Sequence, residues 1–277
     1  MAVTLNTNYG AVVASKNLVT NQNDMNRTME RISSGKKTIH ASDDAAGIAI
    51  AGKMEAQIRA LTTAMRHAKE GQALVGTAEG SMQEASKVLQ RMRELALHAA
   101  SGIATNVDKD YLNVEMSSLV TQVENLSLNS KFNQRQLLRG DQFTFYTDMN
   151  IKGLNITTVA ADISVATLGV PQTTVSIGGG VDQNTIDKVV SAIDGAIASV
   201  SSKRANLGAV SNRFDHILSN LGNVIDNTMR SKSIMIDADF SVETTKLTKS
   251  NVLQQGATSM LAQANAQKNL ILSLFQQ

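Results

Sequence analysis

The 277-residue chain has no cysteine, no tryptophan and a single proline. Without cysteine there is no disulfide scaffold, no cysteine-based zinc site and no thiol nucleophile. With one proline, almost nothing forces a helix to stop. Aromatic side chains are scarce, six Phe and three Tyr, although 42% of the chain is hydrophobic. The four histidines, His40, His67, His98 and His216, are not spaced as paired metal ligands. Charged residues make up 18% and the net charge is +2, which gives no electrostatic reason to hold nucleic acid or an anionic membrane. The first twenty residues offer only Ala11-Val12-Val13-Ala14 where a secretory signal needs a longer apolar run. No stretch approaches the ~18 apolar residues of a membrane span. Taken by themselves, these absences describe a cytosolic protein of long helices that touches other protein, with no enzyme chemistry and no cofactor.

What is present is apolar spacing that alternates three and four, the mark of helices packed side by side. It runs through Met54, Ile58, Leu61, Met65 and Ala68, then Val75, Ala78, Met82, Ala85, Leu89, Met92 and Ala96. Ser42, followed by Asp43 and Asp44, is the expected helix start. An unbroken helix from there to Ala100 would be ~85 Å long at ~1.5 Å per residue. Gly71, Gly76 and Gly80 should weaken or bend it. After a loop at 102–107, Leu112, Met116, Leu119, Val123 and Leu126 mark a second helix. Asn184 with Asp187 is the expected start of a third, carrying Ile186, Val190, Ile193, Ile197 and Val200, then Leu207, Val210, Phe214, Ile217, Leu221 and Val224. The predicted fold is mainly α, a long antiparallel helical bundle or coiled coil with a small β-hairpin and with the N- and C-terminal helices paired.

Between the halves the period falls to two. Residues 142–147 and 154–159 read as a hairpin, with Asp148-Met149-Asn150 and Gly153 as turn residues. Thr167–Gly180, with Pro171 and Gly178-Gly179-Gly180, reads as a surface loop. The ends carry sparse stripes in a polar setting, Leu5, Val12, Val19, Met29 and Ile32 at one end and Leu253, Met260, Ala264, Leu270 and Leu274 at the other. Neither end alone buries enough apolar surface to offset its ordering entropy, so both are expected to order only against something else.

Single motifs carry little. Ser34-Gly35-Lys36-Lys37-Thr38 lacks the first glycine of a phosphate loop and has Lys37 where the hydroxyl should be, so it reads as a helix break. The Gly178–Gly180 triplet lacks the strand and spacing of a dinucleotide site and is a turn. Asp43 and Asp44, adjacent at a helix start, suit capping rather than acid–base work. Arg91, Arg93 and Glu94 form a charged face opposite the Met82–Leu89–Met92 stripe, which is core rather than a cofactor box. The sequons at Asn26, Asn125 and Asn155 are common by chance, and two fall in helices.

Five stretches together resemble bacterial flagellin: residues 30–51 (ERISSGKKTIHASDDAAGIAIA), 89–97 (LQRMRELAL), 130–140 (SKFNQRQLLRG), 205–223 (ANLGAVSNRFDHILSNLGN) and 252–267 (VLQQGATSMLAQANAQ). They occur in the family's order and cover roughly residues 1–160 and 185–277. The chain departs from the family pattern at Asn133-Gln134, where Asn-Gly is usual, and at Leu272–Gln277, which has an extra residue and no terminal arginine. The family's variable outer domains are essentially missing.

The resemblance implies a self-assembling subunit of the extracellular filament used for swimming. Residues 1–42 and 236–277 would be inner-tube terminal helices, 43–140 and 182–235 an outer-tube bundle, and 141–181 a hairpin and surface loop. Leu253, Met260, Leu261, Leu270 and Leu274 would pack in the inner tube. It implies passage through the flagellar export apparatus without a cleaved signal, which removes the cytosolic inference, and partners in an export chaperone and in filament cap and junction proteins. Gln90, Arg91, Leu95 and Glu115 match positions that meet the vertebrate innate flagellin receptor. Residues 30–51, with Gly35 and Asp43, match the segment sensed by plants, although Lys37, His40 and Ser42 differ. The nearest alternative is a hook–filament junction protein, disfavoured by Leu253–Asn265. A signalling coiled coil would need a membrane span or a partner-binding tip where this chain has strand and loop.

Overall fold

The computed structural model describes residues 7–146, 155–159 and 161–274, with backbone alone for 155–159 and 268–274. The described residues form five helices, α1 (Tyr9–Ser34), α2 (Ala45–Ala100), α3 (Asn106–Asn129), α4 (Gln183–Ile236) and α5 (Phe240–Leu274). Four short strands complete them, β1 (Lys131–Phe132), β2 (Arg135–Gln136), β3 (Gln142–Tyr146) and β4 (Asn155–Val159). The chain divides into two compact units, one of residues 57–226 and one of residues 1–56 with 227–277.

In the first unit, α2, α3 and α4 surround one apolar core containing Met82, Leu89, Met92, Met116, Val123, Ile186, Ile193, Val200 and Phe214, as the three-four spacing predicts. Cross-links set the antiparallel directions. Arg93 Nε donates to Asp194 Oδ1 at 2.6 Å and Gln72 Nε2 to Asp215 Oδ1 at 2.7 Å, while Arg91 Nε donates to Glu115 Oε1 at 2.9 Å. α2 runs unbroken through all three of its predicted weak points. Gly71 has a packing reason: a Cβ there would lie 2.5 Å from Phe214 Cζ, and Phe214 makes an edge-on contact with Phe145 at 5.8 Å. The glycine admits the only phenylalanine ring that α4 sends into this core.

The helix starts differ from the sequence reading. α2 is capped by Asp44, not Ser42: Asp44 Oδ1 accepts from Gly47 N at 2.8 Å. α4 is capped by Asp182, not Asn184. The Asp182 carbonyl accepts from Thr185 N and Ile186 N, and its carboxylate accepts from the Thr185 hydroxyl, which holds that carboxyl below its ordinary range. An aspartate closer to the first helical amide wins each contest. α3 has a complete capping box between Thr105 and Asp108.

β3 and β4 pair antiparallel from Gln142↔Val159 to Tyr146↔Asn155, as expected, while the predicted turn residues Asp148, Met149, Asn150 and Gly153 lie outside the described residues. β1 and β2 form a second, smaller hairpin whose turn residues Asn133 and Gln134 both have positive φ, 48° and 66°. The segment 167–180 is not a surface loop. Its Leu168, Val170, Val175 and Ile177 are buried in the bundle core, as are Ile163 and Val165 just before it. Asn113 Oδ1 accepts from Ile177 N at 3.0 Å and Asp110 Oδ1 from Gly179 N at 2.6 Å, so α3 clasps the segment. The Pro and Gly punctuation suggests a loop, but four spaced aliphatic side chains are too much apolar surface to leave in water.

The second unit is built on the predicted pairing of the ends. α1 and α5 lie close together in antiparallel register, with Asn8 Nδ2 donating to Ala264 O, Asn21 Nδ2 to Ser250 O and Gln254 Nε2 to Gln22 Oε1. The seam residues of α5 are Glu243, Leu247, Ser250, Gln254, Ala257, Leu261 and Ala264, spaced four and three in strict alternation and buried or half-buried. Small side chains let the backbones approach, and the amides fix register. The connectors are tied as well. Gly35 ends α1 at φ 67°, its carbonyl accepts from Ala238 N, and Lys37 N donates to Ile236 O at 2.6 Å.

Candidate assembly and recognition surfaces

Leu253 and Met260 lie off the heptad seam of α5, on its other side. Leu253 is 51% exposed and Met260 63%, and with Val242 they repeat at eleven and seven residues, a stripe along the outward face of α5. On α1, Val12 and Val19 are similarly exposed. Leu261 is half-buried at the seam; the side chains of Leu270 and Leu274 lie outside the described residues. The terminal pair thus has a mixed seam, with Gln22, Ser250 and Gln254 set among alanines and leucines, and it leaves Val12, Val19, Leu253 and Met260 uncovered on a largely polar exterior.

A second exposed apolar stripe lies on α3 and the turn before it: Ile103, Val107, Tyr111 and Val114. The signal was in the sequence, a second spacing of four, four and three interleaved with the core stripe Leu112–Met116–Leu119.

Of the four residues expected to form a receptor face, Arg91 and Glu115 are in contact, Gln90 is exposed beside them in sequence, and Leu95 is buried. Gln90 and Arg91 are exposed on α2 and Glu115 is half-exposed on α3. Arg91 bridges Glu115 and, through NH1 at 3.1 Å, Glu94, and the Glu115 bond followed by the Glu94 bond raises the guanidinium pKa still further. Leu95 is 3% exposed and belongs to the core, because it falls on the Met92–Ala96–Ala99 side of α2. Asp43 Oδ2 accepts from His40 N and Ile39 N at 3.3 Å, and these amides lower its carboxyl pKa. Gly35 and Asp43 thus serve the connector between α1 and α2, whatever else reads them. Among the described residues there is no cluster of His, Cys, Asp or Glu fit to hold a metal ion, and no helix long and apolar enough to cross a membrane.

Residues 5–142 match the bacterial flagellin N-terminal helical region and residues 190–275 the bacterial flagellin C-terminal helical region. The flagellin of Halalkalibacterium halodurans is 35% identical over 272 residues, covering 98% of each chain. The chain belongs to the bacterial flagellin family. The Bacillus subtilis flagellin is 32% identical over 300 residues, covering 98% of this chain and 99% of that one. The flagellar filament 30.7 kDa core protein of Treponema maltophilum is 31% identical over 284 residues, with the same coverage. The crystal structure of Bacillus cereus flagellin superposes with a TM-score of 0.50 at 25% identity, over 56% of this chain and 88% of that one. A Vibrio parahaemolyticus protein named for the flagellar hook superposes at 0.61 but 15% identity, over 70% and 99%, a likeness of fold alone. As a flagellin the chain is a structural subunit of the flagellar filament, and flagellins are a structural family rather than an enzyme family. The short length leaves no room for a large variable domain, as the motif order implied.

Proposed function

We propose that this flagellin enters the filament by laying the outward apolar stripes of its terminal pair, and the Ile103–Val114 stripe of its bundle, against other copies of itself. The observation that carries the reading is the set of large apolar side chains that the terminal pair leaves uncovered. A monomer that puts Ser250, Gln254 and Gln22 inside and Val12, Val19, Leu253 and Met260 outside gains little from pairing its own helices and much from being surrounded. The inner-tube role of residues 1–42 and 236–277, the outer-tube role of 43–140 and 182–235 and the flanking role of 141–181 follow from this reading. The subunit leaves the cell through the flagellar export apparatus without a cleaved signal, with a chaperone on the C-terminal stripe, and meets cap and junction proteins at the filament ends.

Electron microscopy of the purified protein after seeding tests the reading. Long tubular filaments, thin and smooth, are expected; short plugs that add only at a hook end would favour the junction-protein alternative, and distinct outer density would refute the smooth surface. Recognition by an innate receptor is a second property of the bundle face, carried by Gln90, Arg91 and Glu115 with Leu95 holding the helix from beneath. Monomer should activate a receptor reporter cell, and Arg91→Asp, which loses both carboxylate partners, should cut the response. An inert wild-type monomer would remove this part. The plant-sensed reading of residues 30–51 is tested the same way, with the Gly35–Asp43 peptide on plant cells.

A further inference from the structure

The chain has twelve methionines and no cysteine, so every sulfur in it is a thioether. The methionines at the two extremes of exposure fall in different units, although Met25 of the terminal pair is also buried. Met82, Met92 and Met116 are completely buried in the bundle core. The three most exposed among the described residues are Met29 at 44%, Met229 at 47% and Met260 at 63%, all in the unit built on the terminal pair. Met260 also continues the outward stripe Val242–Leu253 of α5. A thioether in such a place is apolar, deformable and suited to an interface, yet it is the one apolar group that a mild oxidant turns polar.

We propose that Met260, with Met29 and Met229, makes self-assembly of this flagellin a reversible oxidant-sensitive step. The inference rests on the self-assembly proposed above. The oxidant is a two-electron oxygen donor such as hydrogen peroxide. The thioether sulfur attacks one peroxide oxygen with a lone pair, the S–O bond forms as the O–O bond breaks, and water leaves after proton transfer. Sulfur loses two electrons and peroxide gains them. The sulfoxide places a strong hydrogen-bond acceptor on a face that a second copy would cover with apolar atoms, where it has no donor. Only the unassembled subunit is open to the reaction. The buried methionines keep the bundle intact meanwhile, so a methionine sulfoxide reductase, which returns two electrons from a thiol and releases water, restores a competent subunit.

The test treats monomer with dilute hydrogen peroxide, maps sulfoxides by peptide mass spectrometry, and follows seeded elongation by light scattering. Met29, Met229 and Met260 should be modified well before Met82, Met92 and Met116, and the critical concentration should rise by roughly tenfold or more. Reductase treatment should reverse the rise. The Met29→Leu, Met229→Leu, Met260→Leu protein should elongate equally before and after peroxide; should the triple change itself impair elongation, Met260→Leu alone is expected to retain wild-type elongation and a smaller peroxide effect. Three results would overturn the inference: oxidised wild type elongating like untreated protein, the buried methionines reacting as fast as the exposed ones, or peroxide sensitivity undiminished in the leucine variants. Untreated wild type that never elongates would instead bring down the self-assembly reading, and this inference with it.

Discussion

The two units of this molecule use the same heptad spacing to opposite ends. In the bundle, the seam positions are Met82, Leu89, Met92, Met116, Val123, Ile193 and Phe214, and they are dry. In the terminal pair, the seam positions are Glu243, Leu247, Ser250, Gln254, Ala257, Leu261 and Ala264 against Asn8, Ala11, Ala14, Leu18, Asn21, Gln22 and Met25. Glu243 is buried there, with Lys246 Nζ at 2.7 Å from Oε1, Arg31 at 4.0 Å, and Oε2 without a partner. A buried ion of that kind adds specificity of register more readily than stability. The contrast teaches that spacing alone announces which residues meet, whereas the chemistry at the seam decides whether meeting is enough. The bundle closes over its own apolar side chains, whereas the pair, on the function proposed above, is completed by other copies.

The largest expected effect breaks the comparison from the bundle side. Phe214→Ala empties the space between Phe145 and Gly71 and should cost about 3–5 kcal/mol in the unfolding of the bundle. Thermal or chemical denaturation followed by circular dichroism measures it, and a loss under half of that range would mean the site collapses. Next comes a repair of the pair. Gln22→Leu with Gln254→Leu replaces an amide contact by two apolar side chains and should stabilise the terminal helices by about 1–3 kcal/mol. Limited proteolysis reads it: wild-type monomer should be clipped within residues 1 to about 40 and beyond about 240, by the low local stability of a wet seam, and the double variant should resist. Equal cleavage of the two proteins would show that the polar seam is not the weak point.

A smaller effect sharpens the bundle's own profile. Gln134 sits at φ 66° in the β1–β2 turn, where glycine has no steric cost, so Gln134→Gly should raise stability by about 1 kcal/mol. The smallest concerns acid. The carboxyls of Asp43 and Asp108 are held below their ordinary values, the first by the amides of His40 and Ile39, the second by the Thr105 hydroxyl and then its amide. A depressed folded pKa means the contribution is complete above the unfolded carboxyl value of about 3.9 and is lost as pH falls through the folded value. Amide signals of residues 39–40 and 105–108 should therefore change below that pH while the bundle core remains unaltered, and core signals moving first would contradict the assignment.

Much of the fold was legible. The helix faces, the hairpin, the unbroken α2 and the pairing of the ends follow from periodicity, because burying one stripe per helix leaves few arrangements. The errors have particular causes. Pro171 and Gly178–Gly180 are turn-formers in a segment whose aliphatic residues nevertheless dock, since local punctuation says nothing of long-range burial. Leu253 and Met260 stand out in the sequence as large apolar side chains of α5, while its seam, five of seven residues small or polar, carries a weaker signal. Leu95 was assigned to a surface by resemblance, although its place beside Ala96 and Ala99 puts it in the core. The stripe at Ile103–Val114 is masked in the sequence because one helix carries two apolar spacings and the inner one, Leu112–Met116–Leu119–Val123–Leu126, is the more regular.

The antiparallel contacts also form a nested series. Arg93–Asp194 spans 101 residues, Gln72–Asp215 spans 143, Asn21–Ser250 spans 229 and Asn8–Ala264 spans 256. Each contact encloses the one before it. Closing the Asn21–Ser250 contact in an open chain would join a loop of 229 residues; once Gln72 and Asp215 have met, roughly 90 residues remain to be closed, an entropic saving of about 1 kcal/mol. Closing these contacts from the middle outward would reach long sequence separations by short steps. In reverse, the outermost contact would be the first to part.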